Sequence, residues 1–101
     1  MRVYLPAGSA ELQRLVAGET IQIEGFLAVS TDEEDELGAL EAAGEEAGCV
    51  VVAEVSDPDG PVGLDDVEAL HVDIDDSGDL AWFGTQEIAA VIELVRASEA
   101  R

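Results

Sequence analysis

Apolar residues recur along this chain in short blocks whose spacing switches between two and three-to-four, and each switch predicts an element. Val3 to Leu5 forms a first strand, stopped by Pro6. Leu12, Leu15 and Val16 fall at helical spacing between Ser9, a good N-cap, and Gly18, a good terminator, which predicts a helix to about Ala17. Ile21 to Ser30 reads as a second strand, bent at Gly25. Ser30 and Thr31 then precede Glu33 and Glu34 by three residues, the spacing of a capping box. The helix opened there has only a narrow inward stripe, Leu37, Leu40, Gly44 and Ala47. Its glycines, Gly38, Gly44 and Gly48, each cost up to about 1 kcal/mol against alanine. Docking, and not propensity, is expected to hold it.

Cys49 to Val55 is nearly all apolar, as for a central strand covered on both faces. Asp57-Pro58-Asp59-Gly60-Pro61 has the turn chemistry of a surface loop. After one helical turn at Leu64 to Val67, Leu70, Val72 and Ile74 alternate with His71, Asp73 and Asp75, the pattern of a half-buried strand. Asp76-Ser77-Gly78 turns the chain and Leu80 to Phe83 returns as a hairpin partner. Thr85 caps a last helix with Ile88, Val91, Ile92 and Val95 on one face; Glu87 and Arg96 suit its dipole. The order β-α-β-α-β-β-β-α predicts one α+β domain over residues 1–101. Its expected form is a two-layer sandwich with one mixed sheet of about five strands and three helices largely on one face. The first β-α-β unit should cross over right-handed if its strands are parallel.

Composition adds the charge. Twenty-four Asp and Glu against four arginines (Arg2, Arg14, Arg96 and Arg101) give a formal net charge of −20, with no lysine and no asparagine. A hydrophobic fraction of 48% sets the chain apart from a disordered acidic tail. The charge argues against direct binding of nucleic acid or of an anionic membrane, both of which attract basic faces. It suits a basic protein partner, bound cations or a salty cytoplasm. The longest apolar run, Cys49 to Ala53, is far short of the roughly 20 residues of a membrane span. Met1 to Pro6 reads as a strand and not as a leader, so a cytoplasmic location is expected. The single cysteine, Cys49, begins a valine run and reads as a buried, inert thiol.

Two segments carry candidate chemistry. Asp32-Glu33-Glu34-Asp35-Glu36 opens a helix, where acids suit the dipole, and Glu34, Glu41 and Glu45 continue the acidity along one stripe. Such a stripe can meet a basic partner, or imitate phosphates as an acidic nucleic-acid mimic. Asp73-Ile74-Asp75-Asp76-Ser77-Gly78-Asp79-Leu80 matches the opening half of a calcium loop, with Asp73, Asp75, Ser77 and Asp79 as oxygen ligands. Gly84 stands where that loop needs a bidentate glutamate, and the flanks read as strands, so weak binding at most is expected. His71, the only histidine, sits on the polar face of its strand beside Asp73 with no nucleophile elbow in the chain. Trp82 and Phe83 are adjacent on a strand, so one should enter the core and the other the second face, where an exposed Trp82 would anchor a partner. No cofactor motif is present.

Met1-Arg2-Val3-Tyr4-Leu5-Pro6 at one end and Trp82-Phe83-Gly84-Thr85-Gln86-Glu87-Ile88 near the other resemble an uncharacterised family of actinobacterial proteins, a domain of unknown function. The family pattern at the second segment reads Trp, Tyr or Phe, a small residue, then Thr-Gln-Glu-Ile. Val67 to Asp73 resembles the segment before that motif. Here the stretch between His71 and Trp82 is shorter and the middle of the chain more acidic. The resemblance implies a GC-rich source and a cytoplasmic protein, and brings no activity with it.

The expected function is therefore a non-enzymatic interaction or regulatory domain that meets a basic partner through its acidic helix, with Trp82 as the other candidate surface. A metal-dependent or carboxylate-based hydrolytic protein is the alternative from another class. The charge makes one prediction independent of function. Screening should relieve repulsion among the acids, so the melting temperature should rise from low to molar sodium chloride by on the order of 5 °C, about 1 kcal/mol for a domain of this size. A flat profile would mean that pairing or bound ions already neutralise the charge.

Overall fold

The computed structural model describes residues 1–27, 32–73 and 80–100. The valine run forms a strand, Cys49–Glu54, in which every residue from Cys49 to Ala53 is buried. Numbered in chain order, the strands are β1 (Arg2–Ala7), β2 (Phe26–Leu27), β3 (Cys49–Glu54), β4 (Val67–Asp73) and β5 (Leu80–Phe83). They form one sheet in the order β2-β1-β3-β4-β5, which puts β3 at its centre, as its two-sided burial requires. The helices are α1 (Ser9–Val16), α2 (Glu33–Glu46) and α3 (Ile88–Glu99), with 3₁₀ turns at Leu64–Asp66 and Thr85–Glu87. The class is α+β and the element order is the expected one.

The sheet is antiparallel throughout, where a mixed sheet was expected, and no parallel crossover arises. The stretch after α1 explains this. Ile21 leaves the sheet to bridge Val62, with N–H to carbonyl distances of 2.8 Å in both directions. The chain then meets β1 only at Phe26 and Leu27, so the expected strand from Ile21 to Ser30 shrinks to two described residues; Ser30 and Thr31 lie outside the described residues. Gly25 lies close against β1: a Cβ there would sit 2.6 Å from Val3 Cγ2 and 2.7 Å from Leu5 Cδ2. Because β2 covers β1 only opposite Val3 and Tyr4, β1 is an edge further along. It therefore tolerates Pro6 and continues to Ala7.

Alternation along the strands builds two cores. Val3, Leu5, Cys49, Val51, Leu70 and Val72 point to the face covered by α1 and α3, through Leu12, Leu15, Val91, Ile92 and Val95. Tyr4, Val50 and Val52 point to the other face, where Ala39 and Ala43 of α2 cover them. Two of the three helices thus share one face, and α2 adds a smaller layer on the other. Its inward stripe differs from the expected one. Ala39 and Ala43 lie over Tyr4, Val50 and Val52, and Gly44, whose added Cβ would lie 3.1 Å from Leu80 Cδ1, comes close to β5, while Leu37 is left exposed.

Several acids act locally. The N–H groups of Gly8, Gly63 and Gly84 donate to Glu11, Asp66 and Glu87, each three residues ahead, at 3.0, 3.0 and 3.2 Å. Asp32, the N-cap of α2, accepts from the N–H of Glu34 at 3.2 Å. Gly8 is therefore the N-cap in place of Ser9, and Thr85 belongs to a 3₁₀ turn whose hydroxyl donates to the Val67 carbonyl at 3.0 Å.

Val52→Asp tests the architecture. Placing an unpaired carboxylate between Tyr4 and α2 should cost on the order of 4 kcal/mol or more, a large share of the stability of a domain this size. Denaturant unfolding should show a non-native or barely stable variant. A cooperative transition at the wild-type midpoint would place this strand at an edge.

Candidate functional site

On the α2 side of the sheet, the helix covers β1 and β3 but leaves β4 and β5 partly open. The step between helix and uncovered strands is a cleft of about 450 Å³, within the range of small-ligand sites, roughly 300–1,000 Å³. Its floor is the sheet itself: Tyr4, Val52, Ala69 and His71 from successive strands. Trp82, the cross-strand neighbour of His71, forms one side and is 62% exposed. Glu33, Glu36, Leu37 and Leu40 of α2 form the other, with Leu37 53% exposed.

Arg2 closes one end. Its two terminal nitrogens reach Glu36 Oε1 on α2 at 2.9 Å and Glu68 Oε2 on β4 at 3.1 Å. Burial opposes the charge, but a hydrogen bond with Tyr4 and the carboxylates of Glu68 and Glu36 raise its pKa. Tyr4, two residues on and so on the same side of β1, has its phenol raised by burial and by Glu36. The other described arginines pair loosely within their own regions, Arg14 with Glu19 at 3.6 Å and Arg96 with Glu93 at 3.7 Å. Among the described residues, Arg2 is the arginine that ties separate elements together.

Of the expected binding residues, Trp82 enters this cleft, while Phe83 packs on the main core. Glu34, Glu41 and Glu45 share the exposed side of α2 and do not line the cleft; Leu37 lies on their side and not opposite them. Of the calcium ligands, Asp73 ends β4, and Asp75, Ser77 and Asp79 lie outside the described residues. No cluster of three or more His, Cys, Asp or Glu able to hold a metal occurs among the described residues. Cys49 is fully buried and its thiol is pushed up to about 12 by burial, so it is no nucleophile.

The sequence offered little notice of Arg2, Glu36 and Glu68 as neighbours, since they lie 34 and 66 residues apart along the chain. The i, i+2 relation of Arg2 to Tyr4 was the one local signal. The cleft also gathers His71 with Glu33, Glu36 and Glu68, an arrangement open to acid–base chemistry. Arg2, however, occupies two of those three carboxylates. No family model, curated protein or solved structure matches the chain. Among the described residues, no helix is long and apolar enough to cross a membrane.

Burial lowers the pKa of His71 below its ordinary 6.5. The unfolded chain therefore takes up the proton first as pH falls. Stability should be complete above 6.5 and decline as pH drops through 6.5 toward the folded value. Nuclear magnetic resonance should give a midpoint below 6.5. Melting temperatures from about pH 7.5 to about 5.5 should fall more steeply for the wild type than for His71→Gln. A midpoint above 6.5 would place a carboxylate, and not burial, in control of this histidine.

Proposed function

We propose that the chain is a non-enzymatic interaction or regulatory domain that meets a basic protein partner through the acidic face of α2 and the cleft beside it. One observation carries this reading: Trp82 and Leu37, two large apolar side chains left in solvent, face one cleft rimmed by carboxylates. Exposed aromatic and aliphatic anchors in a concave site, ringed by polar groups, are the usual energetic centre of an interface. Glu34, Glu41 and Glu45 continue the negative field outward along α2, where it acts on encounter and steering. The segments that carry the family resemblance also supply Arg2, Tyr4, Glu68, Ala69, His71 and Trp82 to the same cleft. A cytoplasmic setting accords with this function and is part of the proposal.

A second reading, a carboxylate-based hydrolytic protein, is favoured by His71 sharing the cleft with Glu33, Glu36 and Glu68. It needs a carboxylate free to act on a neutral histidine, and Arg2 engages Glu36 and Glu68.

Changing Glu34, Glu41 and Glu45 together to glutamine tests the interaction reading. All three are exposed, so the variant should keep its fold and melt no lower than the wild type. Capture of basic proteins from the native lysate should fall, and association with a captured partner should slow on the order of tenfold at low salt. Equal capture and equal association rates at low and high salt would reduce the stripe to a solvated face and sink the proposal.

A further inference from the structure

We infer that the cleft is the anchor site for an arginine side chain of that basic partner; this deepens the function proposed above and rests on it. The charge complementarity is on the molecule itself. A second copy would bring another net charge of −20 toward the same carboxylates, whereas a basic segment relieves them. Arg2 shows the carboxylate part of that recognition already at work: a guanidinium fork bridges carboxylates from two elements beside the Tyr4 phenol at one end of this same cleft. Further along the cleft, the described residues offer the same chemistry a second time. Trp82 offers its ring, Leu37 and Leu40 offer an apolar wall for a methylene stem, and Glu33 stands exposed at the rim. A guanidinium lies flat on an indole face while pairing with carboxylates through its planar fork, whereas an ammonium is attracted to the ring as a point charge and has no fork. Val52 and Ala69 give the site an apolar floor.

Trp82 is the only tryptophan in the chain, so its emission reports the cleft directly. End-blocked hexa-arginine and hexa-lysine serve as probes of equal charge, titrated at low salt. Hexa-arginine should shift Trp82 emission saturably and bind roughly three- to fivefold more tightly than hexa-lysine. By calorimetry, Trp82→Ala should abolish that preference and Glu33→Gln should reduce it. The triple glutamine variant of α2 should weaken both peptides equally and keep the preference. Equal binding of the two peptides with unmoved Trp82 emission would overturn the anchor site while leaving the acidic-face reading standing. Binding of neither peptide would defeat both. Trp82 emission that depends on protein concentration alone would put a second copy in the cleft, and would also overturn the assignment.

Discussion

A strand buried on both faces needs cover on both, and β3 imposes that demand on the rest of the chain. Cys49, Val51 and Ala53 require one layer and Val50 and Val52 a second. Each valine buried there contributes about 1.5–3 kcal/mol relative to exposure, so neither face could be left to solvent. β1 and β4 supply the backbone partners and α1 with α3 the larger cover. What remained was a narrow strip over Tyr4, Val50 and Val52, and α2 fills it.

The character of α2 follows from that strip. The helix face that packs on Tyr4, Val50 and Val52 is small, Ala39 and Ala43, and Gly44 brings the backbone close to Leu80. Close approach compensates for weak intrinsic propensity, which three glycines in and beside the helix would otherwise defeat. A single helix cannot roof five strands, and the part it leaves open over β4 and β5 is the cleft. The candidate site is therefore a consequence of how the second face is covered. Its apolar floor is the continuation of the smaller core.

The acids divide into groups with different physical roles. Some complete helix and turn starts, as Glu11, Asp32, Asp66 and Glu87 do by accepting backbone N–H groups. Glu36 and Glu68 hold Arg2 and with it the junction of β1, α2 and β4. Others, Glu34, Glu41 and Glu45 among them, stand in water on the outer side of α2, where they repel one another and make the local field negative.

The sequence by itself determined the α+β class, the order of elements, the central valine strand, the opposition of Trp82 and Phe83, and the exposure of Glu34, Glu41 and Glu45. All of these follow from local periodicity, in which side-chain direction depends on spacing along one element. Only the tertiary structure decided the antiparallel pairing, the two-residue β2, the rotation that buries Ala39 and Ala43 and exposes Leu37, and the cleft itself. β2 is short where Ile21 instead bridges Val62, a contact no local pattern encodes. The face that α2 buries is the one that packs on Tyr4, Val50 and Val52, not its own strongest apolar stripe. Arg2, Glu36 and Glu68 became neighbours because a sheet brings distant segments within a few ångströms, and spacing along the chain carries no trace of that distance.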